Sequence, residues 1–96
     1  MVRIRFTTFF GERIGGLSSA EVSATTVGSA LRALTDRYPE LARLIWIGED
    51  TLNPMMAVFL NDRLVEAGQL NTPVKADDEI DLLAAVSGGM AFQIAD

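Results

Sequence analysis

The sequence predicts an α+β fold in which a mixed sheet packs on one main helix. Three stretches carry that prediction. "VRIRFT" alternates apolar and polar side chains with the period of a half-buried strand. "VGSALRALTDRY" instead repeats apolar side chains at helical spacing. "MMAVFL" and "IDLLAAV" then return to short apolar runs bounded by turn-forming residues, as strands do.

In the first strand Val2, Ile4 and Phe6 share one face, and Arg3, Arg5 and Thr7 share the other. "FGERIGGLS" reads as a hairpin loop, with Gly15-Gly16 supplying backbone of positive φ. A second strand follows over roughly Leu17 to Ala24, with Ala20 and Val22 inward. Thr26 fits as the N-cap of the helix, whose inner positions are Val27, Leu31, Leu34 and Tyr38. Pro39 ends it, and "ELARLI" makes one further turn. "WIGEDTLNP" is irregular, and Trp46 is expected to pack in the core or at its rim. "MMAVFL", the turn "NDR" and the return strand "LV" form a hairpin. "NTPVKADDEI" is a loop into the last strand. Its acidic run (Asp77, Asp78, Glu79, Asp81) lacks the spacing of a calcium loop and is read as a charged turn.

Composition removes several function classes. Eight basic against thirteen acidic side chains give a net charge of −5, which disfavours nucleic acid or an anionic membrane as partner. Arg3 and Arg5 interrupt what would be the apolar part of a signal peptide, and no run approaches the ~20 apolar residues of a spanning helix, so a cytoplasmic protein is expected. There is no cysteine and no histidine, hence no thiol nucleophile, no Cys-rich zinc site and no imidazole base. The phosphate-binding GxxxxGK[ST] and GxGxxG loops are absent as well. Carboxylates, Lys75, arginines and hydroxyls are a thin kit for self-contained catalysis. A protein that is not an enzyme is expected.

The segments "TTVGSALRALTDRYPEL", "MAVFLNDRLV" and "LNTPVKADDEIDLLAAVSGG", together with the short opening strand, resemble the ThiS/MoaD family of sulfur-carrier proteins. The succession of strand, turn, "LNTPVKADDEIDLL" and diglycine is the specific part. Within the family the chain most resembles the longer members that feed sulfur to cysteine biosynthesis.

The resemblance implies the ubiquitin-like β-grasp fold for residues 1–89. In this family the diglycine is the C-terminus, and its terminal carboxylate is adenylated by an E1-like enzyme using ATP and magnesium. Sulfur from a donor then displaces AMP, and the thiocarboxylate passes sulfur to a biosynthetic enzyme, in cysteine, thiamine, molybdopterin or siderophore and other natural-product pathways. The implied reactive residue here is Gly89. No catalytic residue, metal ligand or bound cofactor is expected in the chain itself. Gly88 supplies slenderness: glycine has no Cβ, so Gly-Gly threads a channel that side chains would block. At ~3.3 Å per residue, the four residues after Ala85 carry the end about 13 Å from the sheet.

The chain departs from the family in continuing as "MAFQIAD", so Gly89 is held in an amide to Met90. Some relatives bear such caps, which a zinc metallopeptidase of the JAMM (MPN+) type removes. By analogy residues 90–96 form a C-terminal extension cut at the Gly89–Met90 junction. The alternative is a retained tail, with Phe92 and Ile94 packed on the sheet. Matching the final strands to ubiquitin-like folds puts Val58, Leu60 and Leu82 in the core, and alternation turns Phe59, Leu83 and Ala85 outward as a partner-binding patch. Two competing functions share these features: a modifier joined to lysines through Gly89, and a non-covalent adaptor that keeps its tail.

Overall fold

A computed structural model of the chain describes residues 1–49 and 51–84. Strand β1 (Val2–Phe6) runs antiparallel to β2 (Ser19–Val22), pairing Ile4 with Ala20. Strands β3 (Met56–Leu60) and β4 (Arg63–Val65) form the second hairpin, and β5 (Glu79–Ala84) closes the series. The sheet order is β2-β1-β5-β3-β4. The last strand thus lies at the centre, parallel to β1 and antiparallel to β3. Two hairpins joined through a central parallel pair, with the main helix in the connection between them, make the β-grasp topology of a mixed sheet.

Alternation fixes the faces. In β1, Val2, Ile4 and Phe6 are buried while Arg3 and Arg5 are exposed. Val22, Val58, Val65, Ile80 and Leu82 complete the inner face. The main helix, α2 (Val27–Arg37), supplies the other half of the core through Val27, Ala30, Leu31 and Leu34. Thr26 caps it as expected: its hydroxyl accepts the Ser29 amide at 3.1 Å, and the Ser29 hydroxyl accepts the Thr26 amide at 3.0 Å. Such a cap typically stabilises by about 1 kcal/mol. The helix stops before Pro39, and a 3₁₀ turn (Pro39–Leu41) leads into the short helix α3 (Ala42–Ile45). Trp46 is buried as a packer, its indole N–H donating to the Thr35 hydroxyl at 3.2 Å, with the Arg32 guanidinium 4.3 Å from the ring centroid.

Three expectations need correction. The first hairpin connection is not a plain loop, because it contains the short helix α1 (Thr8–Gly11) and a 3₁₀ turn (Glu12–Ile14) before the positive-φ pair Gly15-Gly16. Phe10 causes this: it is fully buried, and a helical turn points it into the core. The second strand is shorter than Leu17–Ala24, since the Thr25 carbonyl is engaged by the Val74 amide outside the β1–β2 ladder. Leu60 is half-buried, packed against the core rather than enclosed in it.

The β3–β4 turn is formed by Asn61 and Asp62 with φ of 49° and 72°, the positive values that a two-residue hairpin turn requires. The connection from β4 contains a 3₁₀ turn (Ala67–Gln69) and is stitched to the start of α2 by amide-to-carbonyl bonds from Val27 to Thr72 and from Gly28 to Leu70.

Candidate functional site

Among the described residues, the helix covers one face of the sheet and leaves the other open. On that open face the ladder register sorts side chains into two regions. Arg3 stands between Glu21 and Glu79, and Arg5 stands beside Asp81. Arg3 lies 3.6 Å from both glutamates. Arg5 makes a two-point contact with Asp81, Nε to Oδ1 at 2.7 Å and Nη2 to Oδ2 at 3.1 Å. The hydrogen bond to Asp81 is the main cause that pushes the Arg5 guanidinium above its ordinary pKa, with the charges of Asp81 and Glu79 adding to it.

The second region is apolar. Register places Leu83 opposite Ala57, and Phe59 opposite both Asp81 and Leu64. Directly opposed side chains on one sheet face touch, so Ala57, Phe59, Leu64 and Leu83 make one continuous surface. Leu64 is 55% exposed and Leu83 37%, while Phe59 is half-buried. A wide-mouthed depression of about 470 Å³ lies here, lined by Arg5, Phe6, Thr7, Phe59, Asp62, Asp81 and Leu83. Its lining combines the apolar Phe6, Phe59 and Leu83 with the charged Arg5, Asp62 and Asp81.

Two of the expected site residues, Phe59 and Leu83, both line this depression. Ala85, Gly88, Gly89 and Met90 lie outside the described residues, as does the whole extension 90–96. What does lie within them is the direction of the approach: β5 carries the chain through the middle of the sheet and past the apolar patch before Ala85. Two contributors were not found from sequence. Leu64 escaped because β4 is too short to show a period, and its place follows only from pairing with Phe59. The Arg5–Asp81 contact joins residues far apart in sequence through a parallel register that local pattern does not reveal.

The acidic run has structural work. The Asp78 carboxylate accepts the Asn61 side-chain amide at 3.0 Å and the Lys75 backbone amide at 2.8 Å, while Glu79 and Asp81 face the arginines of β1. Among the described residues no group of three or more His, Cys, Asp or Glu side chains is arranged to hold a metal ion, and no helix is long and apolar enough to cross a membrane.

The sequence profile of the ThiS family matches residues 6–89. This chain is a member of the ThiS family. The matched region ends at Gly89, the second glycine of the pair. Solved structures agree. The ThiS-family chain superimposes on the Amycolatopsis orientalis BexX/CysO complex with a TM-score of 0.80 at 28% identity, covering 93% of this chain and 100% of the other. It superimposes on the small archaeal modifier protein 1 of Methanosarcina acetivorans with a TM-score of 0.79 at 28% identity, covering 92% and 95%. A chain from the complex of subunits 1 and 2 of the molybdopterin-converting factor of Helicobacter pylori matches at 31% identity and a TM-score of 0.57, covering 92% and 97%. No curated protein sequence matches. The structural relatives are small carrier and modifier proteins of ubiquitin-like fold, and this ThiS-family chain shares their architecture.

Proposed function

We propose that the protein is the precursor of a sulfur carrier whose working group is the carboxylate of Gly89. The observation that carries this reading is the end of the family match at Gly89, seven residues before Asp96. A metallopeptidase of the JAMM type, holding its own zinc, hydrolyses the Gly89–Met90 amide and frees the carboxylate. That carboxylate attacks the α-phosphate of ATP in an E1-like partner, with pyrophosphate leaving. A sulfide-level donor then attacks the acyl carbon and AMP departs, leaving the thiocarboxylate. ATP, magnesium and zinc belong to the partners; the carrier brings the acyl group and a docking surface. Phe59 and Leu83, with Leu64 beside them, supply the apolar surface that a partner grips. Arg5, Asp81 and Asp62 supply the charged groups that set orientation.

The likeness to an archaeal modifier protein favours a second reading, in which the activated Gly89 acylates a lysine of another protein. Intact mass of the protein recovered from its native host separates the two. A chain ending at Gly89 and heavier by the replacement of oxygen with sulfur supports the carrier. Larger covalent adducts support the modifier. A chain that retains residues 90–96 while the pathway is running contradicts both.

A further inference from the structure

We propose that the depression on the open sheet face takes a cationic side chain of the activating partner, with the Asp62 carboxylate as its counter-charge and Phe59 and Leu83 as its apolar lining. This rests on the reading of that face as the docking surface and adds what the partner must present to it. The lining of the depression holds one cation, Arg5, against two acids, Asp62 and Asp81. Arg5 is committed to Asp81, whose two carboxylate oxygens it meets at 2.7 and 3.1 Å. The Asp62 carboxylate makes no hydrogen bond and no ion pair with any described residue. Its charge acts on Arg5, but less than the charges of Asp81 and Glu79 do. Arg63, the next residue along the chain, pairs with Leu60 in the ladder and so stands on the helix side of the sheet. The other arginine of the open face, Arg3, lies between Glu21 and Glu79. Among the described residues the depression therefore keeps an uncompensated negative charge beside apolar side chains.

The backbone at Asp62 gives a second, independent argument. The turn has φ of 49° at Asn61 and 72° at Asp62, left-handed at both central positions. Asn-Gly is a favoured pair for such a turn. Glycine takes this conformation without the crowding that a Cβ brings, so Asp62 stands where glycine would fold better. Asn61 has structural work to do, since its side chain bonds the Asp78 carboxylate and the Glu79 amide. The Asp62 side chain has no such work among the described residues. Unfavourable backbone conformations of this kind gather at ligand contacts. What its position does provide is a carboxylate in the same depression as the Phe59 ring and Leu83. A cation on a carbon stem matches that lining: the charge meets the carboxylate, the ring attracts the cation, and the stem lies on apolar side chains. A purely apolar partner surface would instead desolvate Asp62 without pairing it.

The test titrates the full chain with the E1-like enzyme of the same host at low and at raised salt. Asp62→Asn keeps the side-chain size and the tolerance of left-handed backbone, so it removes the charge alone. It should weaken binding several-fold at low salt and flatten the salt dependence. Asp62→Lys should weaken binding further. Asp62→Gly should bind as weakly as Asp62→Asn while raising the urea midpoint. Glu40→Gln makes the same change of net charge in the 3₁₀ turn after α2 and should leave binding unchanged. Unchanged affinity and salt response for Asp62→Asn and Asp62→Lys, with Phe59→Ala still weakening binding, would overturn the proposal and leave the docking face standing. A lower urea midpoint for Asp62→Gly would also overturn it, because the fold itself would then require the aspartate. An equal loss for Glu40→Gln would reduce the effect to net charge and overturn it too. Full affinity for both Phe59→Ala and Leu83→Ala would sink the docking face, and the proposal with it.

Discussion

Asn61 clamps the β3–β4 turn to the entry of β5 through Asp78. Its side-chain amide donates to the Asp78 carboxylate at 3.0 Å, and its side-chain oxygen accepts the Glu79 amide at 3.0 Å. These bonds fix the register of the central strand at its start, and so the positions of Asp81 and Leu83 further along. The hydrogen bond from Asn61, followed by that from the Lys75 amide, holds the Asp78 pKa below its ordinary value of 3.8. A carboxylate depressed in the folded state contributes stability that is complete above its unfolded pKa and is lost as pH falls through its folded pKa. Asp78→Ala should therefore lower the urea midpoint at about pH 7, and the gap from the parent should shrink towards pH 3. An equal gap at both values would remove Asp78 from the acid response.

Gly11 is required by a close approach. A Cβ at this position would lie 2.0 Å from the Leu17 carbonyl oxygen, which is backbone and cannot swing aside. Gly11→Ala should destabilise the domain by about 1–3 kcal/mol through forced displacement of the first connection. Gly68→Ala, where a Cβ meets nothing within 4 Å, serves as the control and should be close to neutral. Urea unfolding of the two variants checks the contrast, and equal midpoints would contradict it.

Neighbouring positions in β5 should separate docking from folding. Leu82 is fully buried and Leu83 is not. Leu82→Ala should cost about 2–5 kcal/mol of stability. Phe59→Ala and Leu83→Ala should leave a folded domain and weaken binding to the activating enzyme by about 2 kcal/mol each. Thermal melts and binding titrations on the same three proteins provide the check. A large stability loss with unchanged affinity for the Phe59 and Leu83 variants would place them in the core.

Much of the fold was legible in the sequence because half-buried elements repeat their faces at short range. Val2, Ile4 and Phe6 alternate with arginines, and Thr26 stands before a helical apolar pattern, so both elements follow from neighbours along the chain. Phe10 was not legible, since a single buried aromatic in a connection has no period to betray it. The need for glycine at position 11 is likewise non-local, being set by the Leu17 carbonyl. Of the site, Phe59 and Leu83 followed from alternation once the resemblance to ubiquitin-like folds had set which face of their strands is the core. Leu64 and the Arg5–Asp81 contact depend on how strands pair, which no local pattern encodes. Ala85 was read from alternation, and Gly88, Gly89 and Met90 from the diglycine motif and the chain that follows it; all four lie outside the described residues.

The central claim is that Gly89 becomes reactive only when its amide to Met90 is cut. The most direct measurement is ATP–pyrophosphate exchange with the E1-like enzyme of the same host, followed by intact mass after a sulfur source is added. The full chain should be inert, a chain ending at Gly89 should exchange and gain sulfur, and Gly89→Ala within that shorter chain should be strongly impaired because its methyl group crowds a channel shaped for glycine. Exchange and sulfur gain by the full chain equal to those of the chain ending at Gly89 would contradict the claim.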